Sequence, residues 1–268
     1  MRKILLAMLA VTACSSSKNS GSGPDGGVVG SGGDGGGGTV SDADKQQDYN
    51  DVAASIAANL SVGELPSMVD AVNMAYGRVP QGYAVTQKTD SAGTMYELLD
   101  GTRGGVTIEY KLYCRDSADA TVACNGTENH AHVKPVYTGS VTAASASIDS
   151  IQRSAAWIVR DLGLPSARLG GDGTDNYVSH LSTGDYQIMA TDTLKNALFD
   201  PAAPTTPTAG TLDVTVNVQR TRSTSSPAAR SFAVSAHLVF TGSDAATLTL
   251  DGTQNYAVTI SSGAVTKQ

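Results

Sequence analysis

From Pro80 to the C-terminus the apolar positions recur every second residue. Leu212, Val214, Val216 and Val218 alternate with Asp213, Thr215, Asn217 and Gln219, and Phe232, Val234, Ala236, Leu238 and Phe240 alternate in the same way with smaller or polar residues. This period predicts antiparallel strands with one face buried and one wet. The polar stretch TRSTSSPAAR (221–230) between the two runs makes them a long hairpin. Before Pro80 the period is three to four. Tyr49, Val52, Ala53, Ile56 and Leu60 form one apolar stripe, with Ser41 and Asp44 in a capping arrangement, and Leu65, Met68, Val69, Val72 and Tyr76 form a second. Pro66 near the start of the second stripe and Gly77 just past its end read as boundary signals. The pattern therefore predicts two helices within 41–79, docked on the sheet, followed by an antiparallel β domain over 80–268.

Two stretches of the β region resemble each other. DGTDNYVSHLSTG (172–184) aligns with DGTQNYAVTISSG (251–263) at an offset of 79, and the match extends back to pair Gly163 with Gly242, Ala167 with Ala246 and Leu169 with Leu248. A weaker copy begins at Asp100-Gly101. Asp-Gly is a strong hairpin signal because that turn requires positive φ. The expected unit is strand, Asp-Gly turn, strand, with residues 138–185 and 217–263 as two copies and with Tyr177 and Tyr256 on the buried face. A calcium loop would need a spaced series of oxygen ligands, whereas each turn here offers one or two carboxylates, and Asp175 is replaced by Gln254. The segment 148–162 carries a helical pattern, but the repeat aligns it with a strand, and a strand holding Trp157 is the expectation.

Composition narrows the functional classes. The 268 residues carry 18 Lys+Arg and 25 Asp+Glu, a net charge of −7. Without Arg2 and Lys3 of the N-terminal leader, 16 against 25 gives −9. An acidic chain argues against nucleic acid as a partner. Aromatics are scarce at 5%, and Ala, Thr, Ser, Val and Gly suit a sheet with many exposed hydroxyls and a thin core.

The N-terminus MRKILLAMLAVTAC has a basic start, an apolar run too short to span a bilayer and small residues up to Cys14. Val11-Thr12-Ala13-Cys14 resembles the lipobox of bacterial lipoproteins, in which the cysteine is lipidated and the chain cut before it. The resemblance covers about the first fourteen residues. It implies a signal peptide over 1–13, a lipid anchor at Cys14 and a bilayer as partner. Ser15 resembles the residue that directs such proteins to an outer membrane. Residues 14–40, rich in Gly and Ser, then form a tether of about 25–30 Å mean reach. The glycine run lacks the strand before it and the GK[ST] helix after it that a phosphate cradle needs, and no cofactor is implied. Leader, glycine-rich tether and β domain together resemble surface lipoproteins of deltaproteobacteria. The function implied is a membrane-anchored envelope protein with a structural or binding role, its protein or glycan partner open.

Candidate chemistry is sparse. Cys114 and Cys124 flank the polar loop RDSADATVA, and in an oxidising compartment this spacing reads as a disulfide across a hairpin. In CNGTENHAHVKP, residues Glu128, His130 and His132 fall at i, i+2 and i+4 and would share one side of an extended segment. Two imidazoles and a carboxylate suit zinc, so the alternative function is a metal-dependent hydrolase or metal-binding protein centred there. Three polar side chains on a solvated face would show the same spacing. His180 and His237 fall on outward positions. No GxSxG elbow is present, and the S-x-x-K at Ser15–Lys18 lies in the tether, so nucleophilic catalysis finds no support. The triplets at Asn59 and Asn125 are glycosylation acceptors only in a glycosylating host.

Overall fold

The computed structural model describes residues 40–268; Cys14, the leader and most of the tether lie outside the described residues. The described chain is mainly β, one antiparallel sheet with a single helix against its inner face. The strands are β1 (Ala84–Thr89), β2 (Met95–Arg103), β3 (Val106–Arg115), β4 (Thr121–Val122), β5 (His130–Thr142), β6 (Ser147–Arg160), β7 (Ala167–Leu181), β8 (Gly184–Phe199), β9 (Ala209–Thr221), β10 (Ala229–Gly242), β11 (Ala245–Leu250), β12 (Gln254–Thr259) and β13 (Ala264–Lys267). Each pairs with its sequence neighbours, except that β4 pairs only with β3 and β3 continues to β5. The long hairpin forms as the alternation predicts, with Val218 opposite Phe232, Val216 opposite Val234 and Leu212 opposite Leu238. The segment holding Trp157 is a strand, and its indole is buried.

The helical region departs from expectation. Instead of two helices there is one, Asp42–Ala75, in which Asp42–Asn59 and Leu65–Ala75 are joined by a π-helical turn at Leu60–Glu64. Ser41 caps it, its hydroxyl accepting from Asp44 N at 3.1 Å. The wider turn bonds Leu65 N to Leu60 O, so the helix passes the place where Pro66 would otherwise lose a bond and strike the preceding turn. Gly63 is no breaker either. A Cβ there would stand 2.9 Å from the Tyr137 hydroxyl, so glycine lets the strand β5 tyrosine reach the helix backbone. The helix has the length and hydropathy of a membrane span, but 78% of its most apolar window is buried. Val52, Ala53, Met68, Ala71 and Val72 are wholly enclosed.

The Asp-Gly pairs divide. Asp251-Gly252 turns the chain between β11 and β12, both residues at positive φ, with Thr253 N on Leu250 O at 3.0 Å. Asp172-Gly173 lies inside β7 and Asp100-Gly101 inside β2. The two aligned copies thus agree through Leu169 and Leu248, then part: one continues as a 15-residue strand and the other folds back. Gly173 is needed for space. Its Cβ would fall 2.7 Å from both Arg153 Nη2 and Asp192 Oδ2. Gly101 likewise lies under the Tyr83 ring, where a Cβ would fall 2.9 Å from Cδ1. Tyr177 and Tyr256 are both buried on the inner face of the sheet, as expected.

Candidate functional site

Three polar groups between helix and sheet place charge inside the fold. At the head of the helix, Asp44, Asp48 and Asp51 project at i, i+4 and i+7 toward the inner ends of β9 and β10. Arg222 Nη2 lies 2.7 Å from Asp44 Oδ1 and 2.6 Å from Asp48 Oδ1. Arg220 reaches Asp44 at 2.7 Å and Asp48 at 3.0 Å, and Arg230 reaches Asp48 at 2.6 Å. Tyr186 and Thr183 donate to Asp51. Acidic side chains also suit the first turns of a helix, where the macrodipole is positive.

At the waist, beside the π turn, Arg153 meets three carboxylates. It forms a two-pronged pair with Asp192 at 2.7 and 3.1 Å, an ion pair with Glu64, and a longer approach of 3.7 Å to Asp175. Asn59 Nδ2 donates to Asp175 Oδ2 at 2.6 Å. Burial drives the Glu64 carboxyl well above its usual range and Asp175 up to about 6, against the opposing pull of Arg153. Asn59 Oδ1, Glu64 Oε2 and Asp175 Oδ1 have no hydrogen-bond partner among the described residues, and a cavity of about 30 Å³ lies against them. That is room for a single water.

At the foot, Asp70 takes Arg103 at 2.9 Å, the Tyr110 hydroxyl at 2.9 Å and the Tyr83 hydroxyl at 3.3 Å. Burial raises Asp70, and raises Tyr83 to about 12. Every charged side chain in these three sites has at least one partner of opposite charge within it, which makes them parts of the scaffold, although single oxygens of Glu64 and Asp175 stay unpartnered among the described residues.

The outer face is different. A row of side chains crosses six strands: Asp172, Thr193, Asp213, His237, Thr249 and Asn255, each opposite the next in register. A groove of about 650 Å³ follows it, with Thr191, Thr215 and Ser235 on its walls. His237 Nδ1 donates to Asp213 Oδ1 at 2.5 Å and Lys195 Nζ to Asp213 Oδ2 at 2.7 Å. These two bonds hold the Asp213 carboxyl below its usual range. An Asp–His pair invites comparison with a catalytic triad, but the Ser235 hydroxyl donates to Asp251 at 3.0 Å and is not poised on the imidazole.

The residues singled out in the sequence fall as follows. Cys114 and Cys124 are bonded, with sulfurs 1.98 Å and Cα atoms 5.3 Å apart. His130 and His132 lie side by side on β5 with ring centroids 5.0 Å apart. Burial and the neighbouring His130 lower His132. Glu128 does not join them. Strand β5 begins only at His130, so the period-two argument does not reach Glu128, which turns inward, accepts from Asn125 N at 3.1 Å and sits beside the disulfide. His180 and His237 are exposed, as alternation predicts. The buried arginines escaped notice although the signal is there: Arg220 and Arg222 continue the even-numbered inward series of Leu212 to Val218. No family model, curated protein or solved structure matches the chain.

Proposed function

We propose that the protein is a lipid-anchored envelope protein with a non-enzymatic binding role, its outer sheet face turned to the ligand. The anchor reading rests on Val11–Cys14 and the glycine-rich tether. The binding reading rests on one observation, the groove across β7–β11 that Asp, Thr, Ser and His side chains line. Its carboxylates accept hydroxyl donors and its threonine and serine hydroxyls both give and accept, so it suits a hydroxyl-rich ligand such as a glycan. The interior charges are consumed by the scaffold and leave this groove as the place for polar recognition. Two measurements test the two parts. Cys14→Ser moves the chain from the detergent phase to the aqueous phase; unchanged partitioning refutes the anchor. The soluble Cys14→Ser chain is retained on isolated envelope polysaccharide, and Asp213→Asn with His237→Ala weakens retention at least tenfold. Equal retention by both chains refutes the groove.

A further inference from the structure

The Cys114–Cys124 disulfide has an unexpected neighbour. Glu128 is 5% exposed, and while its Oε2 accepts from Asn125 N, its Oε1 has no partner among the described residues. The two sulfurs and a Glu128 carboxylate oxygen all lie within 4.8 Å of one another. Among the described residues this is the one such group of three metal-ligating side chains. A buried carboxylate oxygen without a partner is costly, and nothing in a disulfide compensates it, since neither sulfur carries a proton or a charge.

The corner is firmly built. The end of the helix presses on the loop that carries Cys124 and Glu128: the Tyr76 ring fills the space a side chain at Gly126 would take, with Cδ1 2.5 Å from the Cβ position, and Gly77 approaches Cys124 O. Asn129 N donates to Arg115 O at 2.8 Å and fixes the far side of the loop to β3. On the other side the disulfide lines a recess of about 490 Å³, together with Tyr96, Arg115 and Thr121. Cys124 is the part-exposed member of the three, so the bond is approached from this recess through its sulfur.

We propose that this corner is a redox-gated site for a thiophilic divalent cation such as zinc, closed while the disulfide is intact and opened by its reduction. A dithiol or phosphine reductant supplies two electrons, the S–S bond breaks, and two protons from solvent complete the thiols. Zinc then binds Cys114 and Cys124 as thiolates, releasing those two protons, and Glu128 supplies the third ligand through its free oxygen. Two sulfurs and one oxygen leave the fourth tetrahedral position to water from the recess. The cation offsets two of the three negative charges that the thiolates and carboxylate would otherwise bring into a buried place.

The test uses the full chain with Cys14→Ser, so that two thiols remain. It is reduced with a phosphine, equilibrated with zinc and passed through gel filtration before metal analysis. The proposal expects about one zinc per reduced chain, none per oxidised chain, and at least tenfold weaker binding with Glu128→Gln. Circular dichroism checks that the compared chains are folded. Cobalt(II) on the reduced chain with Glu128 intact gives a second readout should Glu128→Gln not fold: thiolate charge-transfer absorption with intense tetrahedral bands supports the site, and a weak octahedral spectrum overturns it. Three further results overturn it: no zinc on the reduced chain, equal affinity with Glu128→Gln, or zinc on the oxidised chain that His130→Ala with His132→Ala removes.

Discussion

At the head of the helix three aspartates face three arginines, while at its waist three carboxylates crowd around Arg153 alone. Both groups are buried, and both tie the helix to the sheet, yet their charge balance is opposite in consequence. The head is matched in number, three carboxylates to three guanidiniums, although burial raises the Asp48 carboxyl there too, against the pull of Arg220, Arg222 and Arg230. The waist is over-supplied with acid, and the surplus is carried by raised carboxyls at Glu64 and Asp175. Buried ion pairs of similar appearance can thus respond to the same substitution with opposite sign.

The largest test of this contrast is Asp48→Asn. Asp48 is shared by Arg220, Arg222 and Arg230, and its neutralisation leaves buried positive charge uncompensated. Chemical denaturation should show a loss of about 3 kcal/mol, the low end for a broken buried pair, because burial already offsets part of what the Asp48 charge contributes. Asp175→Asn should do the reverse. A carboxyl at about 6 in the folded state, above its ordinary value near 4, stabilises the fold fully only below pH ~4 and loses that contribution as pH rises through about 6. The asparagine keeps an acceptor for Asn59 and does not titrate, so the variant should gain up to about 3 kcal/mol at pH 8 and nothing at pH 4. A gain independent of pH would break the comparison. The smallest effect separates space from backbone geometry. Gly173→Ala pushes a Cβ between Arg153 and Asp192 and should cost about 1–2 kcal/mol. Gly252→Ala, at φ 68 with nothing within 4 Å, should cost about 1 kcal/mol through backbone strain alone. Only the first should alter the pH dependence.

The hairpin β9–β10 was legible because its alternation is unbroken and its loop polar. The helix was legible in content but not in continuity: Gly63 and Pro66 are local stop signals, and the π turn that absorbs them packs against Tyr137 from a strand more than seventy residues away. Asp172-Gly173 misled for a related reason. Glycine signals positive φ at a turn and close approach in a strand with the same letter, and only the positions of Arg153 and Asp192 decide between them. The waist was invisible because its members come from β6, β7, β8 and the helix, with no shared spacing. The separation of Glu128 from the histidines turned on where β5 begins, a boundary that composition alone does not mark.

The meander carries a consequence for the order in which the fold assembles. Apart from β5, which passes over the two-residue β4 to pair with β3, each strand pairs with the one made just before it, so the sheet can grow as the chain emerges. The helix cannot be finished that way. Asp44 waits for Arg220, 176 residues later, and Asp48 for Arg230, 182 residues later. At synthesis rates of roughly 5–20 residues per second that wait is about 10–35 s. During it the first element made keeps its aspartates hydrated and its apolar faces in need of shelter. Closure comes when β9 and β10 arrive, and a chain truncated before them has strands but no seal.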